Sequence, residues 1–332
     1  MFYVARNLDS NHHLPVGTPA LYLGQASEPN LASFARLACA YAAMPGLKRQ
    51  MGMLGFLYLQ HSGSQQSALL RKFSFQSRLC LRCRTGPYYK YACKECIVTN
   101  PIDLYYWPTP NGWKISIALE EMGLPYKVHL IDINAGAQFD AAFLKLSPNG
   151  RMPAIVDPDG PDRAPISLFE SGAILQYLAR KTGLFYGETE RQRIAVDQWL
   201  MWQMGGVGPM AGQAHHFLRY APAMDPPQIL PYAQNRYRAE TKRLYTLLDK
   251  QLSVSEFVAG DFFSIADMAI WSWASLWRRQ EQTLDDKPNF SRWLEIVKQR
   301  PGVQAGRALE AARRTTQLEE DREAQKLLFR QT

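Results

Sequence analysis

Several groupings of side chains in this sequence have the types and spacing to do chemistry. Cys80 and Cys83, then Cys93 and Cys96, form two Cys-x-x-Cys pairs separated by nine residues. Four thiolates so arranged could close a tetrahedral zinc site, and Arg82, Arg84, Lys90 and Lys94 would favour deprotonated sulfur. The intervening segment is short for a zinc ribbon, so incidental cysteines in a weakly structured extension remain the alternative. Further along, Thr109 is a natural N-cap and Pro110 suits the first helical position. That leaves the Asn111 backbone N–H at the positive end of a helix dipole, a corner suited to an anion. At Met152-Pro153 a proline stands directly before an apolar strand, which points to a cis peptide bond that exposes the Met152 backbone to a ligand. Glu170-Ser171 opens another helix and by itself reads as a charged helix start.

Two other groupings carry less. His215-His216 suggests a metal, yet neighbours on a helix point apart and no third ligand is placed, so polar or channel-lining roles are preferred. Tyr105 and Tyr106 could offer hydroxyls, but alternating strand residues are more often packing groups.

The chain that must position these groups is a composite. At 332 residues it has length for one large or two moderate cores, and its 46% apolar and 20% charged content excludes a disordered, collagenous or membrane-spanning protein. The net charge of +8 resides wholly in the first hundred residues, where eleven Lys and Arg meet three acids. The remainder balances at 27 of each sign, and all five cysteines also fall in that first segment. No apolar run there is long enough for a membrane helix. Met1 to His13 lacks a signal-peptide layout, so a cytoplasmic location is expected, with a transit peptide within the basic stretch Pro29 to Lys94 as the lesser alternative. The basic, tyrosine-bearing loop between the cysteine pairs reads as solvated charge, so nucleic acid is not an expected partner. Asn11 to Ser77 shows no sustained periodicity and is expected to be weakly structured.

From Ile102 the texture changes. Ile102 to Tyr106 reads as a strand, followed by a helix with Ile115, Ala118, Leu119 and Met122 on one face and Gly123 as its stop. A strand at Tyr126 to Ile131, a helix around Gln138 to Leu146, strands after Pro153 and at Ile166 to Leu168, and a helix from Glu170 to Arg180 complete a βαβα then ββα order. That order is a thioredoxin-like half-domain. Beyond a linker near Phe185 to Thr189 the pattern is wholly helical, with helices at Glu190 to Met204, Pro231 to Leu252, Ser264 to Arg279, Asn289 to Gln299 and Val303 to Leu328. Ser264-Ile-Ala-Asp267 starts its helix in the manner of a capping box. Trp271, Trp273, Trp277 and Trp293 are expected to fill the bundle core or its edge. The fold class is therefore α+β followed by all-α. A basic extension at 1–100 precedes a thioredoxin-like half at 101–185, an all-helical bundle at 190–310 and a charged helical tail at 311–332.

A thioredoxin-like half containing Pro148-Asn-Gly-Arg-Met-Pro-Ala-Ile155, joined to a helical half containing Ser-Ile-Ala-Asp, resembles a cytosolic glutathione transferase. The strings Pro108-Thr-Pro-Asn-Gly112, Gly136-Ala-Gln-Phe139, Phe169-Glu-Ser-Gly-Ala-Ile-Leu175, Gly205-Gly-Val-Gly-Pro-Met210 and Gly212-Gln-Ala-His-His-Phe217 are similar to the bacterial Nu-class subgroup, the YfcG-like disulfide-bond oxidoreductases. The resemblance spans about 102 to 310.

It implies that glutathione is the co-substrate, reduced or oxidised, with no metal in this part of the chain. The γ-glutamyl end would meet Glu170 and Ser171, the cysteinyl backbone would pair with Met152 beside Pro153, and Gln138 and Arg151 would sit near the glycyl end. Thr109 and the Asn111 N–H would hold the sulfur, and Arg236 matches a position that reaches the bound disulfide form. Since residues 101–332 contain no cysteine, exchange would run between glutathione sulfurs and a small-molecule or peptide disulfide. A homodimer is implied as well. An ordinary S-transferase acting on electrophiles, or a non-catalytic regulator that keeps the fold, are the alternatives.

Overall fold

Alternation along β1 (Ile102–Tyr106) divides the first half of the fold into two faces, because successive strand side chains point to opposite sides of a sheet. The computed structural model describes residues 100–313 and 321–329, within one unit of the chain running from Ile97 to Thr332. The zinc candidate Cys80, Cys83, Cys93 and Cys96, and the expectation of weak structure before residue 100, lie outside the described residues.

β1 is central. It pairs in parallel with β2 (Tyr126–Leu130) and antiparallel with β3 (Ala154–Asp157), which pairs antiparallel with β4 (Ile166–Phe169), giving the order β2-β1-β3-β4. Ile102, Leu104 and Tyr106 face a core built with α1 (Pro110–Met122) and α3 (Ser171–Thr182), while Tyr105 turns to the other face with Phe143 of α2 (Ala141–Leu146). Gly123 and Gly183 end α1 and α3 at φ of 64° and 71°, a conformation that favours glycine. The helix expected from Gln138 is interrupted: Ala137–Phe139 is one 3-10 turn, and Asp140 is extended before α2 begins.

The second half is helical, but with different joints from those periodicity suggests. α4 (Glu190–Trp202) does not stop at Met204. It runs through a π-helical turn at Gln203–Val207 into α5 (Gly208–His215), then a second π-turn at His216–Tyr220. Gly205, Gly206, Gly208 and Pro209 read as helix breakers in sequence. In the structure the widened turn ahead of Pro209 displaces the i to i−4 ladder where the missing N–H would have broken it.

α6 (Pro231–Leu252) matches its expected bounds. α7 (Ile265–Ala274) is shorter than expected, with a 3-10 turn taking Trp277–Gln280. α8 (Pro288–Lys298) carries the buried Trp293. The long terminal helix expected from Val303 is two: α9 (Pro301–Ala308) starts at its proline, and the chain turns at Leu309 and Glu310, where φ reaches 49°, before α10 (Arg322–Phe329).

The two halves meet along α1. α7 packs on it, and α9 approaches until backbone touches backbone. A Cβ built on Gly306 would lie 2.5 Å from Ile117 N, and Ser116 Oγ donates to Gly306 O at 2.7 Å. Tyr106, fully buried, donates to Leu309 O at 3.3 Å, so the strand tyrosines are packing groups as expected.

Candidate functional site

Thr109 caps α1, its Oγ1 accepting from Gly112 N at 3.4 Å, with Pro110 in the first turn. The cap places the Asn111 N–H among the first-turn amides, which have no acceptor further back in the helix. Beside it the Met152-Pro153 bond is cis, and Thr109 Oγ1 lies 3.7 Å from Met152 Sδ. The helix start and the proline loop, 43 residues apart, therefore form one corner. Tyr105 contributes packing there, stacked on His129 at 4.9 Å, and burial raises its phenol above the ordinary value.

Asn111 has a contact that sequence does not foretell. Its Oδ1 accepts from Trp273 Nε1 of α7 at 3.0 Å, which ties the helix start to the bundle. Trp273 in turn lies 5.7 Å from the ring of His215, which is buried, with Nε2 unpaired. Burial, then Arg279 and Arg219, push His215 down to about 4, so it is a neutral ring at physiological pH. His216 packs against Phe217 and Phe329, and burial lowers it too. His215 also meets Tyr220, which stacks on Phe329, and among the described residues no three metal-ligating side chains cluster.

At the start of α3, Glu170 adopts φ 67° and ψ 110°, a conformation that costs a non-glycine residue about 1–3 kcal/mol. The turn leaves Glu170 exposed and buries Ser171 at the start of α3. Ser171 Oγ accepts from Lys114 Nζ at 3.2 Å. Lys114 is itself buried and was not singled out by the sequence. Its only local clue is position, since it follows Thr109 by just over one turn and lies between the buried Trp113 and Ile115.

The remaining expected residues are less tightly gathered. Gln138 is buried in the 3-10 turn with Oε1 unpaired, and its carbonyl lies near Gly150. Arg151 is exposed, its carbonyl accepting from Ser147 Oγ at 2.6 Å. Arg236 sits in the second turn of α6, exposed, with Nη1 4.0 Å from Glu240 Oε2. The structure thus brings Thr109, Met152 and Pro153 together and joins Ser171 to α1, while Arg236 pairs along its own helix. α10 packs with Leu327 near Gly136, Phe329 stacked on Tyr220 at 5.5 Å, and Arg322 paired with Asp225 at 2.5 Å.

A four-stranded thioredoxin-like sheet with a cis-proline at the start of β3, closed by an all-α bundle, is the architecture of a glutathione-binding transferase fold. Family models agree in both halves: the glutathione S-transferase N-terminal domain matches residues 109–181, and the C-terminal domain matches 216–301. Disulfide-bond oxidoreductase YfcG of Escherichia coli strain K12 is 50% identical over 209 residues, covering 63% of this chain and 94% of that protein. Disulfide-bond oxidoreductase YghU of the same strain is 40% identical over 222 residues, covering 63% of this chain and 74% of that protein. A glutathione transferase structure from Pseudomonas putida, with one glutathione disulfide bound per subunit, superposes with a TM-score of 0.60 at 39% identity, covering 67% of this chain and 96% of that one. The chain belongs to the glutathione transferase superfamily, in its YfcG-like branch.

Proposed function

We propose that this protein is a glutathione-dependent disulfide-bond oxidoreductase whose glutathione lies along the groove from the Thr109 corner to Ser171. The observation that carries the reading is the corner itself. A capped helix start, Thr109-Pro110-Asn111, stands against the cis-Pro153 loop in a part of the chain that has no cysteine. The Thr109 hydroxyl and the Asn111 N–H stabilise a glutathione thiolate there, helped by the helix dipole. The Met152 backbone pairs with the cysteinyl unit, Glu170 with the γ-glutamyl ammonium and Ser171 with the carboxylate. Gln138 and Arg151 serve the glycyl end, and Arg236 the second half of bound oxidised glutathione.

In the reaction the thiolate attacks one sulfur of the substrate disulfide, and the departing thiolate takes up a proton from water. A second glutathione thiolate then attacks the glutathionyl sulfur of the mixed disulfide. This releases the other substrate thiol and leaves oxidised glutathione, so two thiols are oxidised for one disulfide reduced. The protein supplies orientation and charge.

The domain limits follow from the same reading: 1–100 an extension outside the catalytic unit, 101–185 the glutathione-binding half, 190–310 the helical half and 311–332 a tail. A homodimer and a cytoplasmic location fit it. Among the described residues no helix is long and apolar enough to cross a membrane.

Steady-state reduction of a small model disulfide by glutathione, run beside conjugation of a chloroaromatic electrophile, tests the reading with wild type and Thr109→Ala. Disulfide turnover that drops by about 10- to 100-fold in the variant supports it. Conjugation without disulfide reduction would make the protein an ordinary transferase. Glutathione binding with neither activity would make it a non-catalytic relative.

A further inference from the structure

Resting on the glutathione reading, one residue outside the expected set acquires a role. Lys114 is 1% exposed, yet its ammonium has only neutral partners: Ser171 Oγ at 3.2 Å, Gln203 Oε1 at 2.8 Å and Met204 Sδ at 3.4 Å. Among the described residues no carboxylate lies within ion-pair distance of it. A cation withdrawn from water without a counter-charge is costly, and structures that keep one have a use for it.

The surroundings supply little balancing charge. From α3, Glu170 is the acid that acts on Lys114, while Arg180 and Lys181 lie at the opposite end of that helix. From α7, Asp267 is bonded to Ser264, Val258 and Trp293. From α9, Arg307 stacks on the Trp113 ring at 3.8 Å, and Arg300, at the residue before α9, pairs with Glu121 at 2.6 Å near the other end of α1. The π-turn at Gln203–Val207 presents an amide oxygen and a thioether.

We propose that Lys114 is a positioning residue for the γ-glutamyl carboxylate of bound glutathione, acting through Ser171. A hydroxyl has one hydrogen to give and two lone pairs to receive with. Because Lys114 donates to Ser171 Oγ, the hydroxyl hydrogen is left to donate elsewhere, and it is directed at Met204 Sδ, 3.7 Å away. A thioether is a weak acceptor that a carboxylate displaces. The incoming carboxylate then meets the Ser171 hydroxyl, the first amides of α3 and a positive charge one hydrogen bond behind them.

Burial holds Lys114 at about 7, against the opposing pull of Glu170. An anion beside it favours the protonated form, so binding takes up a proton and weakens as pH rises through neutrality.

The test is calorimetric titration of the full chain with S-methylglutathione, whose sulfur cannot ionise, between pH 6 and pH 8. Wild type should lose about tenfold in affinity across that range, and Lys114→Met should bind more weakly with a flat profile. A flat wild-type profile, or a Lys114→Met profile with the wild-type slope, overturns the proposal while leaving the glutathione reading intact. No binding by wild type at either pH overturns both. Lys114→Gln provides a second uncharged variant if the methionine variant does not fold.

Discussion

Two buried charges, one in each half of the molecule, are treated in opposite ways. Asp267 in α7 is fully buried and saturated: Oδ1 accepts from Val258 N at 3.0 Å and Trp293 Nε1 at 2.9 Å, and Oδ2 from Ser264 N at 3.0 Å and Ser264 Oγ at 2.9 Å. Every donor comes from the bundle itself, and the carboxylate joins the start of α7 to α8 and to the loop at Val258. Lys114 in α1 is as deeply buried, but its partners are a hydroxyl, an amide and a thioether. Asp267 is completed from within the fold, whereas Lys114 has no acid among the described residues to complete it, which is what the ligand role proposed for it requires.

Removing the saturated charge should have the largest effect. Asp267→Ala strands three buried N–H donors, and its unfolding free energy in denaturant titrations should fall by about 3–5 kcal/mol. A loss below about 1 kcal/mol would show that the network is not what holds α7.

The second effect is in the pH dependence of stability. Since the folded state holds Lys114 at about 7 and the unfolded chain returns it to the ordinary lysine range, the unfolded state binds more protons between those values. Wild-type stability should therefore rise with pH above neutrality relative to Lys114→Met. The gap between the two curves should shift on the order of 2 kcal/mol from pH 6 to pH 9. Parallel curves would place the charge elsewhere. Asp267 has the opposite pH dependence: burial raises it to about 6, so the proton-linked part of its contribution is full below the unfolded carboxylate range and is lost as pH rises through 6, while its hydrogen bonds to Val258, Ser264 and Trp293 remain.

The smallest effect belongs to the tie between the two halves. Trp273→Phe removes the donation to Asn111 Oδ1 and keeps an aromatic ring, though a smaller one, so about 1 kcal/mol or somewhat more of stability should go. Disulfide reduction by the same variant would show whether Asn111 needs that anchor. Unchanged stability and turnover would mean that Asn111 is held by α1 alone.

What could be read from sequence and what could not divides along the same line. The start of α1 was legible because its signals are consecutive: Thr109, Pro110 and the stop at Gly123 act within one helix. Ser264 and Asp267, three residues apart, were legible for the same reason, as was the cis bond before Pro153 from its place ahead of a strand. Lys114 was not, because nothing in its neighbourhood announces burial; its environment is made by Ser171 and Gln203, 57 and 89 residues away. The helical path from Gln203 to Tyr220 was hidden by glycines and a proline that π-turns accommodate. The break at Leu309 and Glu310 was hidden because the expected helix there has no proline or glycine at the turn, and the Leu309 carbonyl is instead engaged by Tyr106.

The contact of Gly306 with the backbone of Ile117 and Ser116 bears on how this protein can be recombined. A chimera that takes residues before the linker from one relative and the remainder from another exchanges α1 and α9 separately, and if it replaces Gly306 the new side chain wedges the helix that carries Thr109, Asn111 and Lys114. The two helices, about 190 residues apart in sequence, are thus coupled through one glycine, so a crossover that splits them is tolerated only where position 306 stays glycine.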